Sequence, residues 1–119
     1  MHELAICQGI LSQVGTIANE QGASRVDHII VSVGPLSGIE PPLLDRAFEV
    51  ARCGTVAGEA TLEIRNSALV ITCRQCGNEN ETEANRLLCS ACGSWQVNVK
   101  QGDEMLLLRV ELSGIEDHL

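Results

Sequence analysis

Aromatic side chains are almost missing from this chain. Tyrosine is absent, and Phe48 and Trp95 are the single phenylalanine and single tryptophan among 119 residues. Proteins that grip single-stranded nucleic acid stack bases on aromatic rings, so composition argues strongly against that class. Positive charge is also scarce. Eight Lys and Arg against 16 Asp and Glu give a formal net charge of -8, the wrong sign for a phosphate-binding surface. No apolar run reaches the ~18 residues that a membrane span needs. The opening Met1-His2-Glu3 has no basic stretch ahead of an apolar core, which argues against a secretory signal. The expected compartment is therefore a reducing cytoplasm, where disulfides are rare. Phosphate loops and Ser/His/Asp constellations are missing too, and nothing in the residues argues for an enzyme.

What the chain does have is cysteine. Four of its six cysteines form two matched knuckles, Cys73-Arg-Gln-Cys76-Gly77 and Cys89-Ser-Ala-Cys92-Gly93, with twelve residues between Cys76 and Cys89. Each CxxC turns tightly enough to aim two sulfurs at one ion, and the glycine after it accepts a positive φ. Two knuckles make a closed tetrahedral thiolate site. Zinc suits that geometry and needs no redox partner. Four thiolates leave no position for water, so the site reads as structural rather than catalytic. A rubredoxin-like iron site uses similar knuckles, but such domains pack several aromatics round the metal and this segment offers only Trp95. A zinc ribbon that docks other proteins is a second alternative. Between Cys73 and Cys92 lie two arginines and three glutamates, and a zinc ion with four thiolates adds about −2 more, so a nucleic-acid role is not expected.

The remaining pattern predicts an α/β protein: two helices packed on a small β-sheet, with an inserted zinc-ribbon module. Leu4, Cys7, Leu11, Val14 and Ala18 recur at helical spacing, which predicts a helix over 4–22 with Gly22 as its C-cap. Val26–Val33 is β-branched and reads as a buried strand. A second helix follows Pro41-Pro42, with Leu44, Ala47, Phe48 and Ala51 on one face, and ends at Cys53-Gly54. Segments 59–65 and 105–112 alternate. Their apolar sides are Ala60, Leu62 and Ile64, and Leu106, Leu108, Val110 and Leu112. The two are expected to pair in one half-covered sheet. The α/β domain would be 1–67 plus 103–119, and the zinc-ribbon insertion 68–102. Cys7 and Cys53 are expected as buried free thiols, His28 as a packed or edge histidine, and the tail with His118 as solvated and frayed.

His2 has a bland reading, a solvated terminal side chain, and a sharper one. The α-amine of Met1, the amide nitrogen of residue 2 and the imidazole of His2 can close fused chelate rings round one ion, and the amide nitrogen of Glu3 can add a fourth in-plane donor. An all-nitrogen planar site suits Ni(II) or Cu(II) better than Zn(II).

Met-His-Glu-Leu at the start, then a helix, a strand and a paired-CxxC insertion, resembles the HypA/HybF family of hydrogenase maturation nickel chaperones. Further matching stretches are Val33-Gly34-Pro35-Leu36-Ser37-Gly38-Ile39-Glu40, Ala47-Phe48-Glu49-Val50, Gly54-Thr55-Val56-Ala57 and Gln101-Gly102-Asp103-Glu104-Met105. The resemblance implies that His2 anchors nickel with the Met1 amine and nearby amides, and that Glu3 belongs to the same motif. It implies that Cys73, Cys76, Cys89 and Cys92 hold structural zinc. It further implies delivery of nickel to the large subunit of a [NiFe] hydrogenase in cooperation with a nickel-insertion GTPase, with neither nucleic acid nor membrane as partner. Gln8, Gln13 and Glu20, on the outer face of the first helix, are candidate partner contacts. Where some relatives carry His just after a CxxC, this chain has Gly77 and Gly93.

Overall fold

The computed structural model describes residues 2–115; Met1 and the 116–119 tail, including His118, lie outside them. Helix α1 spans His2–Glu20, strand β1 Arg25–Val33, helix α2 Pro41–Ala51, strand β2 Thr61–Asn66, strand β3 Leu69–Cys73, strand β4 Glu79–Thr82, strand β5 Val97–Gln101 and strand β6 Met105–Ser113. The strands form two three-stranded sheets, ordered β2-β1-β6 and β4-β3-β5. The fold is α/β, with two helices and small sheets.

The chain divides into two compact units. One takes in the residues up to Val31, Glu40–Ile64 and the chain from Leu107 onward; the other takes in Ser32–Ile39 and Arg65–Leu106. In the first, α1 buries Cys7, Ile10, Val14 and Ala18, while Leu4 and Leu11 of the expected stripe are half-buried. It stops where Gly22 turns to φ 67 and the amides of Gly22 and Ala23 donate back to the Asn19 and Ala18 carbonyls, at 3.2 and 2.9 Å. Helix α2 opens on its two prolines, whose missing N–H groups have no partner at a helix start anyway, and buries Leu44 and Phe48. Val26, Ile29, Ile30 and Val31 of β1, with Ala57 and Ala60, complete this core.

The second unit holds a sheet that composition did not reveal. β3 pairs antiparallel with β4 and with β5, and buries Leu69, Ile71 and Cys73 on one face. Its strands are short, and β4, Glu-Asn-Glu-Thr, carries neither apolar alternation nor β-propensity. In the same unit two backbones meet without side chains between them. A Cβ on Gly34 would stand 2.2 Å from the Gly102 carbonyl oxygen, and the Leu36 amide donates to that oxygen at 2.8 Å.

Three expectations are corrected. β2 and β6 share a sheet but are not neighbours, because β1 lies between them; alternation reports a strand's face and not its place in the order. Leu106 and Leu108, expected inward, are 46% and 49% exposed. Along β6 the more covered residues are Met105 and Leu107, then Val110 and Leu112, so the pattern changes parity at the exposed pair Leu108 and Arg109. Cys53 is exposed, because it lies beyond the last turn of α2, where its thiol faces the Glu49 carbonyl oxygen at 3.6 Å. Cys7 is buried as expected. His28 is half-buried and pairs with Glu63, Nε2 to Oε1 3.3 Å.

Candidate metal centres

The two knuckles are built alike, bond for bond. The Cys73 amide donates to the Asn78 carbonyl at 2.8 Å and the Cys89 amide to the Ser94 carbonyl at 2.9 Å. The Gly77 amide closes back on the Cys73 carbonyl at 3.0 Å, and the Gly93 amide on the Cys89 carbonyl at 2.9 Å. Gly77 and Gly93 take φ 78 and 76, the left-handed conformation that glycine adopts without a Cβ clash. Inside each turn the first sulfur accepts two amides. Gln75 and Cys76 donate to Cys73 Sγ at 3.3 and 3.4 Å, and Ala91 and Cys92 to Cys89 Sγ at 3.4 and 3.5 Å.

The turns face each other. Cys73 Sγ lies 3.6 Å from Cys92 Sγ, and Cys76 Sγ 3.6 Å from Cys89 Sγ. All four sulfurs fall within 4.8 Å of one another. A tetrahedron with metal–sulfur bonds of ~2.3 Å has edges of about 3.8 Å, so the two 3.6 Å pairs are close to what one zinc ion needs and the cluster as a whole is compatible with it. The electrostatics agree. Backbone amides, Cys92 first, hold the Cys89 thiol down to about 6, and the Cys76 and Gln75 amides lower Cys73. Cys76 accepts from the Asn78 amide, which lowers it, yet sharing its proton with Cys89 leaves it raised to about 11; Cys92 is raised through Cys73 against the pull of the Ser94 amide. Each knuckle thus pairs one sulfur eased towards its thiolate with one that holds its proton more tightly, which a bound dication would displace.

The residues singled out at the N-terminus occupy the first turn of α1. His2 is exposed and Glu3 half-buried; Met1 lies outside the described residues. The fold adds a neighbour that the sequence did not suggest. The main-chain amide of Glu40, the N-cap residue just before α2, lies 3.5 Å from Glu3 Oε2. Thirty-seven residues separate the two in the chain, and only the packing of α2 on α1 brings them together. Gln8, Gln13 and Glu20 are exposed on α1.

The fold and the thiol cluster define a small α/β protein with four cysteines gathered so that they could hold one zinc ion. Comparison with known proteins places it further. Residues 1–112 match the family model described as hydrogenase/urease nickel incorporation, metallochaperone, hypA. The chain is 44% identical over 112 residues to the hydrogenase maturation factor HypA of Nitrosospira multiformis, covering 94% of this chain and 97% of that one, and 41% identical over the same length to the HypA of Aquifex aeolicus, with the same coverage. Among solved structures it resembles the Ni metallochaperone HypA from Helicobacter pylori, with a TM-score of 0.72, 26% identity and coverage of 92% and 96% of the two chains. A second HypA solution structure gives a TM-score of 0.75 at 27% identity, covering 96% of this chain and 98% of that one. The chain belongs to the HypA family of nickel metallochaperones of hydrogenase maturation. Among the described residues no helix is long and apolar enough to cross a membrane.

Proposed function

We propose that this protein binds Ni(II) at its N-terminus and delivers it to the large subunit of a [NiFe] hydrogenase in the cytoplasm, working with a nickel-insertion GTPase and catalysing no reaction itself. The Met1 amine, the amide nitrogens of residues 2 and 3, and the His2 imidazole are the donors, and Glu3 supports them. The reading rests above all on the placement of His2 as an exposed first residue of α1. The first turn of a helix leaves its N–H groups without intrahelical acceptors. The amide nitrogens of His2 and Glu3 are thus free to meet a metal while the helix behind them stays intact. The positive end of the helix dipole opposes a bound dication, and the Glu3 carboxylate offsets it. Such a site holds an ion and can also release it, as a donor must.

Cys73, Cys76, Cys89 and Cys92 hold zinc, which supplies folding free energy to the 68–102 segment and leaves no coordination position open for chemistry. The nickel domain is 1–67 plus 103–119. The experiment is metal analysis of untagged protein titrated with nickel, beside His2→Ala. One nickel per chain in the parent, lost in the variant with zinc retained, supports the reading. Equal nickel binding by both defeats it.

A further inference from the structure

Strand β4 is polar in an ordered way. Asn78, just before it, Asn80 and Thr82 recur at every second residue and are half-buried, while Glu79 and Glu81 between them are exposed. All three half-buried side chains reach the same stretch of chain. Thr82 Oγ1 donates to the Arg86 carbonyl. Asn80 Nδ2 donates to the Leu88 carbonyl at 3.5 Å, and its Oδ1 accepts the Ser90 amide at 3.1 Å. Asn78 Nδ2 donates to Ser90 Oγ at 3.3 Å and points at Cys89 Sγ from 3.9 Å. Residues 83–96 belong to no helix or strand. The second knuckle therefore lacks the backbone ladder that carries Cys73 at the end of β3. A carboxamide offers donors and an acceptor, as a peptide unit does. Asn80 thus grips the main chain on both sides of Cys89, as a neighbouring strand would.

From this we infer that Asn80, with Asn78 beside it, is the positioning residue of the second knuckle: its carboxamide sets the Cys89 sulfur where a zinc ion needs it, and the Asn78 N–H supports the charge on that sulfur. The inference rests on the zinc reading of the four cysteines. Its physical basis is separate, because the hydrogen bonds to Leu88 and Ser90 involve no ligand atom. A knuckle held in shape loses less freedom when the ion binds and opens less often afterwards. Side chains that orient metal ligands in this way change metal affinity by about 10–100-fold. The role also accounts for the polar inward side of β4, where an aliphatic residue at 80 would leave the Leu88 carbonyl and the Ser90 amide without these partners.

The test follows zinc release from the loaded full chain to an excess of a chromophoric chelator, for the parent, Asn80→Ala, Asn78→Ala and Asn98→Ala. Asn98 is an exposed residue of β5 outside the ladder. Circular dichroism and the absorbance of the cobalt-substituted protein are recorded for each. Expected is release about tenfold or more faster for Asn80→Ala, a smaller acceleration for Asn78→Ala, and the parent rate for Asn98→Ala. Loss of the N–H at Cys89 should also move the sulfur-to-cobalt charge-transfer band of Asn78→Ala to longer wavelength, because the sulfur lone pairs lose a stabilising donor. A general loosening of the sheet would leave that band in place. The parent rate in Asn80→Ala overturns the inference, and so does an equal acceleration in Asn98→Ala, which would implicate the sheet as a whole. An unmoved band in Asn78→Ala overturns the part given to Asn78. If Asn80→Ala fails to fold, the release rate of Asn78→Ala against Asn98→Ala decides. A parent that takes up no zinc would instead sink the zinc reading. Hydrogen exchange at the Ser90 amide, protected in the parent and unprotected in Asn80→Ala, would then still decide on Asn80.

Discussion

The Glu40 amide approaches Glu3 Oε2 at 3.5 Å, so the N-cap residue of α2 touches the carboxylate in the first turn of α1. Glu40 has no side-chain capping bond of its own, and the contact anchors the Glu3 side chain next to His2. Glu3→Gln keeps an oxygen for the Glu40 amide and removes the charge. Its expected cost to thermal stability is small, within about 0.5 kcal/mol. Nickel affinity is expected to fall, because the charge that offsets the helix dipole is gone. Melting and nickel titration on the same preparation separate the two effects.

The covalent geometry of the terminus gives a sharper expectation. One extra residue before Met1 moves the amine away from His2 and enlarges the chelate ring, and acetylation removes the amine's lone pair. Either change should impair nickel binding as severely as His2→Ala, with zinc content and fold intact. Imidazole and amine must shed protons to bind, so nickel uptake should release protons and weaken in acid. An acetylated protein that binds one nickel with parent affinity would show that the amine is not a ligand.

Removal of one zinc ligand should act locally. Cys76→Ser is expected to abolish the ~1 zinc per chain and to expose the amides of roughly 68–102, because a polar segment with a strand such as Glu79–Thr82 has little apolar area to fold on. The region from α1 to β2 keeps its own core and should stay protected. Hydrogen exchange on the variant reads both halves at once, and native protection across the β4-β3-β5 sheet without metal would contradict the expectation.

Cys7 supplies a pH test that needs no metal. Burial first, then the Asp45 and Glu3 carboxylates, raise its thiol from 9.0 to about 11, and the thiol donates to the Leu44 carbonyl at 3.4 Å. A pKa that is higher in the folded state stabilises the fold below the unfolded value. That contribution is present below pH 9 and is lost as pH climbs towards about 11. The stability cost of Cys7→Ala should therefore shrink across that window in denaturant titrations, and a pH-independent cost would refute the assignment. Cys53, being exposed, should react with alkylating reagents in the native protein while Cys7 does not.

The helices were legible because their signals are local. The Leu4–Ala18 stripe, Gly22 and the Pro41-Pro42 start each act within a few residues, and α1 differs from its expected 4–22 only by two residues at each end. The four cysteines were legible for the same reason, since spacing within each knuckle dictates the turn. What escaped depends on distance. The order β2-β1-β6, the outward turn of Leu106 and Leu108, and the Glu3–Glu40 contact are set by which segments meet. A polar strand such as Glu79–Thr82 gains its conformation from pairing with β3 rather than from its own side chains.

Trp95 is 71% exposed and stands three residues beyond Cys92. With no tyrosine in the chain, this one indole supplies nearly all near-ultraviolet absorbance and emission. Optically the molecule is lit at a single point beside the thiolate cage and dark at the terminus. An emission trace therefore follows the fate of the zinc-bearing unit, whereas far-ultraviolet ellipticity is dominated by α1 and α2. Midpoints that differ between the two signals would be the mark of units that melt in separate steps, and a single fluorescence curve would conceal it.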